Sequence, residues 1–162
     1  MKYQKDPYSC GAAAIVNALR CFGRKVSEMK VRSFSNTTSD GTDEKGILNA
    51  LKSLKFEGKS FELSDKNEAL KILRTALNKG NPSILCIQQS QHWVTVVGMA
   101  DNGTKFIVAD PAKTVRNLAE NGVYVLSKKE LLKTWQWLPV EKPFFGIVVS
   151  RRIRKKKEKL ST

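Results

Sequence analysis

Residues 4–23 read QKDPYSCGAAAIVNALRCFG, and this stretch decides the fold that we predict. After a proline-containing turn, residues 10–22 form a mostly apolar helix that Gly23 ends. Because apolar residues lie nearly all round this helix, we expect it to be buried. Cys10 is its first residue, where free backbone N–H groups and the helix dipole favour a negative charge. A thiol in this position is a candidate for a reactive thiolate.

The size and charge of the chain predict one globular domain followed by a basic tail. The 162 residues are 41% hydrophobic, which is enough for a core without disulfides or metals. Residues 151–162, RRIRKKKEKLST, contain seven basic and one acidic side chain and so contribute +6 of the formal net charge of +14. We therefore predict a domain over residues 1–150 and a disordered, solvated tail over residues 151–162. An arm that binds an anionic partner is the alternative for the tail.

The composition also excludes several kinds of site. Three widely spaced cysteines give no disulfide framework or zinc site, and a single histidine excludes a histidine-rich metal site. The glycines at 41, 46 and 58 do not form a phosphate-binding pattern. We therefore expect no cofactor and no metal.

The sequence predicts a cytoplasmic protein. No cationic segment followed by an apolar stretch marks a signal peptide, and no apolar run approaches the roughly 20 residues that span a bilayer. In the cytoplasm the thiols would stay reduced.

The cysteines at 21 and 86 lie in apolar patterns and are predicted to be core residues. The tryptophans at 93, 135 and 137 are predicted to pack in the core or line a groove.

The remaining pattern predicts an α+β domain with an antiparallel sheet. Helical spacing and capping residues predict helices over residues 43–54, 65–78 and 127–135. Short β-branched and aromatic runs predict strands over residues 83–88, 92–99, 104–110, 122–127 and 144–150. Helices followed by consecutive strands are the order expected of this class.

One predicted hairpin brings a histidine and a carboxylate together. Residues 101–103 form the turn, so His92 at the start of one strand and Asp110 at the end of the next lie at the same sheet edge. With Ala112 opposite His92, Asp110 is the diagonal neighbour on the same face, within side-chain reach. A carboxylate there can fix the tautomer of the imidazole and stabilise its charged form. Such a pair is what a cysteine nucleophile requires, although spacing alone does not bring Cys10 to it.

Three motifs resemble the bacteriocin-processing, double-glycine leader peptidases. These motifs are residues 4–11, the His-Trp-Val start of a strand at 92–94, and Asp-Pro at 110–111. Members of that family are cysteine peptidases with a papain-like fold, and they have a glutamine six residues before a Cys-Gly that opens the central helix. The resemblance covers residues 1–138 and implies the papain-like fold, with N-terminal helices packed on an antiparallel sheet.

The resemblance also implies a role for each matching residue. Cys10 would be the nucleophile, His92 the general base and acid, and Asp110 the residue that orients His92. Gln4 would donate its side-chain amide to the oxyanion hole beside the backbone N–H of Cys10. The substrate would be a peptide or protein.

The chain departs from the family pattern in two respects. Ser9 stands where members often have an aspartate, and the chain lacks the membrane helices and nucleotide-binding domain to which members are often fused. The fold and the triad do not depend on these features. Cleavage after a double glycine is therefore left open.

Three functions remain in competition at this point. The first is a cysteine peptidase that hydrolyses a peptide bond through an acyl-enzyme, with leader-peptide processing as the role that the resemblance implies. The second is a cell-wall amide hydrolase of Cys/His type, which activity on peptidoglycan would reveal. The third is a non-catalytic papain-like domain that binds a peptide, or nucleic acid through residues 151–159; salt-sensitive, tail-dependent binding would reveal the nucleic-acid form.

Overall fold

The computed structural model describes residues 1–88, 91–136 and 140–153. The helices are α1 (Cys10–Arg20), α2 (Glu28–Ser35), α3 (Glu44–Ser53), α4 (Lys66–Asn78), α5 (Val115–Ala119) and α6 (Lys128–Trp135). The strands are β1 (Phe56–Leu63), β2 (Ser83–Ile87), β3 (His92–Ala100), β4 (Lys105–Ala109), β5 (Val123–Ser127) and β6 (Phe144–Arg151). A 3₁₀ turn, Asp101–Gly103, joins β3 to β4.

All six strands form one antiparallel sheet in the order β1-β6-β2-β3-β4-β5. One core lies between the sheet and helices α1, α2 and α3. A second core lies on the opposite face, under α4 and α6. The predicted α+β class, with N-terminal helices packed on an antiparallel sheet, is confirmed. The second helical layer covers the central strands of the sheet on the other face.

Helix α1 is as buried as its apolar sequence predicts. Every residue of α1 except Arg20 is buried. The helix ends two residues earlier than predicted, and Gly23 closes the following turn with a φ of 73°, a conformation that favours glycine. Cys21 lies just beyond the helix and is exposed. The prediction that Cys21 is a core residue is therefore wrong, because the buried pattern stops at Leu19, whereas Cys86 is buried as expected.

Three elements were not predicted, namely α2, α5 and β1. Helix α2 buries only one large apolar side chain, Val31. Its sequence therefore shows little of the apolar stripe by which a helix is predicted. Strand β1 is at the sheet edge and alternates charged with apolar residues around Gly58. At Gly58 a Cβ would lie 2.8 Å from Leu48 and Leu51, so the strand can approach α3 only because this residue is glycine. Polar edge elements of this kind are held by tertiary packing more than by local pattern.

The hairpin register differs from the prediction at its turn and agrees with it at the site. Ala100 pairs with Lys105, one residue away from the predicted partner. A bulge between Val96 and Gly98 removes this offset, and Thr95 then pairs with Ala109. Continued along the strand, that register places His92 level with Ala112, as the sequence predicted.

Two features of the sequence analysis, one tryptophan and the basic tail, lie outside the described residues. These are Trp137 and the tail beyond Ile153, so the predicted division at residue 150 stays a prediction. Within the described ranges, none of the helices has the length and apolar character needed to cross a bilayer.

Candidate active site

Two side chains of β3 join this strand to the helical layer. The indole Nε1 of Trp93 donates a hydrogen bond to the backbone oxygen of Thr42 at 2.9 Å. The hydroxyl of Thr95 donates to the backbone oxygen of Ala14, within α1, at 2.8 Å. Both bonds are buried, and alternate residues of a strand point to the same face. The start of β3, which is His92, is thereby held beside the beginning of α1.

Cys10 begins α1 with its side chain largely buried, at 7% exposure. The preceding residue, Ser9, does not cap the helix with its side chain, because its hydroxyl instead donates to the backbone oxygen of Asp6 at 3.1 Å. The first N–H groups of α1 are therefore left for other acceptors. Burial alone would raise the pKa of the Cys10 thiol, but hydrogen bonds from His92 and from the backbone N–H groups of Trp93 and Gly11, with the charge of His92, lower it below its usual value.

Gly11 allows the close approach of α1 to the neighbouring segments. A Cβ at this position would lie 2.8 Å from Cβ of Thr42 and 3.2 Å from Cδ1 of Trp93. Any larger residue would therefore push Trp93 and the segment that it binds away from the helix start. The Cys-Gly pair of the sequence thus has a packing reason as well as a chemical one.

His92 lies between the cysteine and the carboxylate. Its Nε2 donates to Oδ1 of Asp110 at 2.7 Å, and its second interacting side chain is that of Cys10. Burial of the imidazole would lower its pKa, but the hydrogen bonds and charges of Asp110 and Cys10 outweigh burial and raise the pKa of His92 to about 9. At neutral pH the ring is therefore protonated, and its positive charge favours the thiolate form of Cys10.

Asp110 accepts hydrogen bonds at both carboxylate oxygens. Oδ1 receives His92 Nε2 and the backbone N–H of Ala112, the latter at 2.9 Å, and Oδ2 receives the hydroxyl of Tyr124 at 2.9 Å. Burial would raise the pKa of Asp110, but the hydrogen bond and charge of His92, together with the donors Ala112 and Tyr124, hold it below its usual value. The carboxylate is ionised and fixed in orientation.

Gln4 lies at the same edge of the sheet. Its backbone N–H donates to the backbone oxygen of Pro111 at 2.8 Å, which places it next to the Asp110 loop. Its side-chain Nε2 donates to the backbone oxygens of Asp6 and Pro7 at 2.9 and 3.0 Å. Its Oε1 is buried and has no hydrogen-bond partner within the described part of the chain. The side-chain amide of Gln4 is therefore bonded to the loop that precedes α1.

The fold thus brings three of the sequence-predicted residues, Cys10, His92 and Asp110, together at one site, with Gln4 bonded to the loop behind it. Sequence reasoning missed Tyr124 as a partner of Asp110 and the connection of Trp93 to Thr42. The pairing of β5 with β4 could have indicated Tyr124, whereas nothing local indicates Thr42. Among the described residues, no group of three or more His, Cys, Asp or Glu side chains is arranged to hold a metal ion.

A cysteine at the start of a central helix, paired with a histidine–aspartate couple on an antiparallel sheet, defines the papain-like class of cysteine peptidases. The comparisons agree with this class. The peptidase domain of Streptococcus ComA superposes with a TM-score of 0.67 at 21% identity, over 93% of this chain and 96% of that one. A double glycine motif protease from an AMS/PCAT transporter, in complex with the leader peptide, superposes with a TM-score of 0.66 at 19% identity, over 91% and 87%.

The family follows from the sequence comparisons. Residues 1–140 match the model of the Peptidase C39 family. The Lactococcin-G-processing and transport ATP-binding protein LagD of Lactococcus lactis subsp. lactis is 32% identical over 111 residues, which is 68% of this chain. This chain spans only about 15% of the length of LagD. The chain belongs to the Peptidase C39 family and is a cysteine peptidase by family and fold.

Proposed function

We propose that this chain hydrolyses a peptide bond by covalent catalysis, with Cys10 as nucleophile, His92 as general acid and base, and Asp110 as the residue that orients His92. The observation that supports this proposal is that His92 is hydrogen-bonded to Asp110 on one side and interacts with the Cys10 thiol on the other. The pKa of the thiol is lowered and that of the imidazole is raised, and both shifts favour the ion pair of thiolate and imidazolium that attack requires.

The reaction proceeds in two halves. The Cys10 thiolate attacks the carbonyl carbon of the scissile bond and forms a tetrahedral oxyanion. The imidazolium of His92 gives its proton to the leaving amine, the C–N bond breaks, and a thioester joins Cys10 to the acyl fragment. Neutral His92 then takes a proton from water, the hydroxide attacks the thioester, and the acid and the Cys10 thiolate are released with His92 again protonated.

The developing oxyanion needs hydrogen-bond donors, and we assign that role to the backbone N–H of Cys10 and the side-chain amide of Gln4. Both lie on the segment that leads into α1, and the first N–H groups of the helix are not capped by Ser9. In the absence of substrate, Nε2 of Gln4 is bonded to two loop carbonyls. One of those bonds must therefore be exchanged for the substrate oxygen when substrate binds.

The substrate we propose is a leader peptide cleaved after a pair of small residues. This proposal is supported by the relatives, since LagD is a processing protein and one structural neighbour is a double glycine motif protease in complex with its leader peptide. We place the reaction in the cytoplasm, where Cys10 would remain reduced.

The test uses purified chain and two synthetic peptides that differ only at the two residues before the scissile bond, Gly-Gly in one and Leu-Leu in the other. Mass spectrometry should detect cleavage of the Gly-Gly peptide alone, and Cys10→Ala should abolish it. Cys21→Ser, which alters an exposed thiol away from the triad, should leave cleavage unchanged. Clearing of peptidoglycan with both peptides intact would instead support a cell-wall amide hydrolase and reject the proposal.

A further inference from the structure

Asp110 has a diagonal partner on each of the two strands that flank β4. On β3 that partner is His92. On β5 the backbone N–H of Asp110 donates to the backbone oxygen of Gly122 at 2.8 Å, so Gly122 is the residue opposite. Tyr124 lies two residues further along β5 and is therefore the diagonal neighbour on that side.

The two carboxylate oxygens of Asp110 are divided between these partners. Oδ1 accepts from His92 at 2.7 Å, and Oδ2 accepts from the Tyr124 hydroxyl at 2.9 Å. A carboxylate that is bonded at one oxygen can still turn about its final torsion, because that torsion is broad. Bonds at both oxygens fix the plane of the group, and that plane determines how the imidazole is held.

We propose that Tyr124 is a positioning residue of this site: its hydroxyl fixes the plane of the Asp110 carboxylate and, through it, the imidazole of His92 against Cys10. The effect on turnover rests on the proposed peptidase function. The effect on the Cys10 thiol does not, because it can be measured without a substrate.

A cavity of about 580 Å³ limits how large the effect can be. Its wall includes Asp110 and Tyr124 but, among the described residues, neither Cys10 nor His92, so it lies on the far side of the carboxylate. Polar side chains also line it, among them Gln88, Thr114, Asn117 and Lys133. Water in this cavity can occupy the place of a removed hydroxyl and donate to Oδ2, though without fixing the carboxylate plane as rigidly.

The chain offers a matched control in Tyr3. Its hydroxyl donates to the backbone oxygen of Asn117, in α5, at 2.9 Å rather than to the Asp110 carboxylate. Tyr3→Phe and Tyr124→Phe therefore remove the same group from neighbouring places. Only the second removes a donor to Asp110.

The experiment compares these two variants with the unaltered chain. For Tyr124→Phe we expect kcat to fall by about 3- to 30-fold with KM unchanged, since a hydrogen bond to a charged group is lost and partly replaced by water. The rate of iodoacetamide alkylation, measured on the peptide that contains Cys10, should rise at a higher pH than before, because a less restrained imidazole stabilises the thiolate less well. Tyr3→Phe should leave kcat and the alkylation profile unchanged.

Two results would overturn the proposal: an unchanged alkylation profile in Tyr124→Phe, or the same shift in Tyr3→Phe, which would indicate packing alone. Absence of peptide cleavage by the unaltered chain would reject the proposed function, while the alkylation shift would still decide the role of Tyr124. If Tyr124→Phe unfolds, O-methyltyrosine at position 124 keeps the ring and its oxygen and removes only the donated hydrogen. The alkylation profile should then move to higher pH, and a profile that does not move would count against the proposal.

Discussion

The two sides of the site are built in different ways. The hairpin side, His92 and Asp110 with the strands that bear them, is fixed by strand register and by donors at both oxygens of the carboxylate. The helix side, Gln4 and Cys10, is fixed by contacts between segments distant in sequence, and the Gln4 amide there is bonded to its own loop. We infer that the hairpin side is ready for catalysis, whereas the helix side must rearrange when substrate binds.

The largest effect should come from breaking the connection between the two sides. Cys10→Ala and His92→Ala should each lower kcat by about 10⁴- to 10⁶-fold, and the double variant should lose little more, because the two groups act as one unit. Single-turnover cleavage of the Gly-Gly peptide measures all three. Cys21→Ser, with its exposed thiol, is the control and should retain full activity. If the two losses multiplied in the double variant, the thiolate and the imidazolium would be acting independently.

The next effect tests the helix side alone. Gln4→Ala should lower kcat by about 10²- to 10³-fold, because one donor to the oxyanion is lost. Gln4→Glu keeps the shape but replaces the donating amide with a carboxylate, and it should be at least as impaired. The His92 titration should be unchanged in Gln4→Ala, since the raised pKa of that ring is due to Asp110 and Cys10. Activity within a few-fold of the original in both variants would remove Gln4 from the oxyanion hole.

This division between the two sides also decided what the sequence could predict. His92 and Asp110 are joined by a hairpin, so turn chemistry and the two-residue period of a strand were enough to pair them. Even the register error at the turn did no harm, because the bulge between Val96 and Gly98 corrected it before the site. The contact between Cys10 and His92 spans most of the domain and came only from the family resemblance.

Other features escaped prediction for the same physical reason. The backbone oxygen of Thr42 carries no sequence signal that it will receive the indole of Trp93, 51 residues away. Edge strand β1 was missed because a glycine, a serine and three charged residues leave it few apolar side chains. Cys21 was expected in the core because the apolar sequence continues past Leu19 with Cys21 and Phe22, while the helix itself ends at Arg20.

The state of the hairpin side can be followed by titrating the imidazole of His92. His92 is the only histidine of the chain, so its imidazole proton resonance is unambiguous. That resonance should titrate near pH 9, and in Cys10→Ala its midpoint should fall toward the ordinary value of 6.5, because a hydrogen bond and a negative charge that favour the imidazolium are lost.

The same titration predicts how activity depends on pH. Activity should rise as Cys10 ionises and should fall as pH increases through about 9, where the imidazolium loses its proton. Asp110→Asn should lower the midpoint of His92 as well. An imidazole that titrates near 6.5 in the unaltered chain would contradict the ion pair.

The smallest effect should come from loosening the loop that contains Gln4. Arg32, on α2, forms an ion pair with Asp6, with Nη1 2.6 Å from Oδ2, and its guanidinium lies over the ring of Tyr8. Both partners are on the loop whose carbonyls bind the Gln4 amide. Because the pair is partly exposed, Arg32→Met should lower kcat only about 2- to 5-fold.

Arg32→Met also tests whether the helix side of the site can change without the hairpin side, which no change at the triad can do. The loss of kcat in Arg32→Met should be largest at low ionic strength and smallest at high salt. Salt screens the ion pair in the unaltered chain, so it reduces the difference in kcat between that chain and the variant. The His92 midpoint should not move, because the pair joins α2 to the loop that contains Gln4 and the raised pKa of His92 is due to Asp110 and Cys10. Lys30→Met removes an exposed charge from the same helix and should leave kcat unchanged. If Arg32→Met moved the His92 midpoint, the two sides would be coupled through α2 and the helix side could not adjust independently of the hairpin.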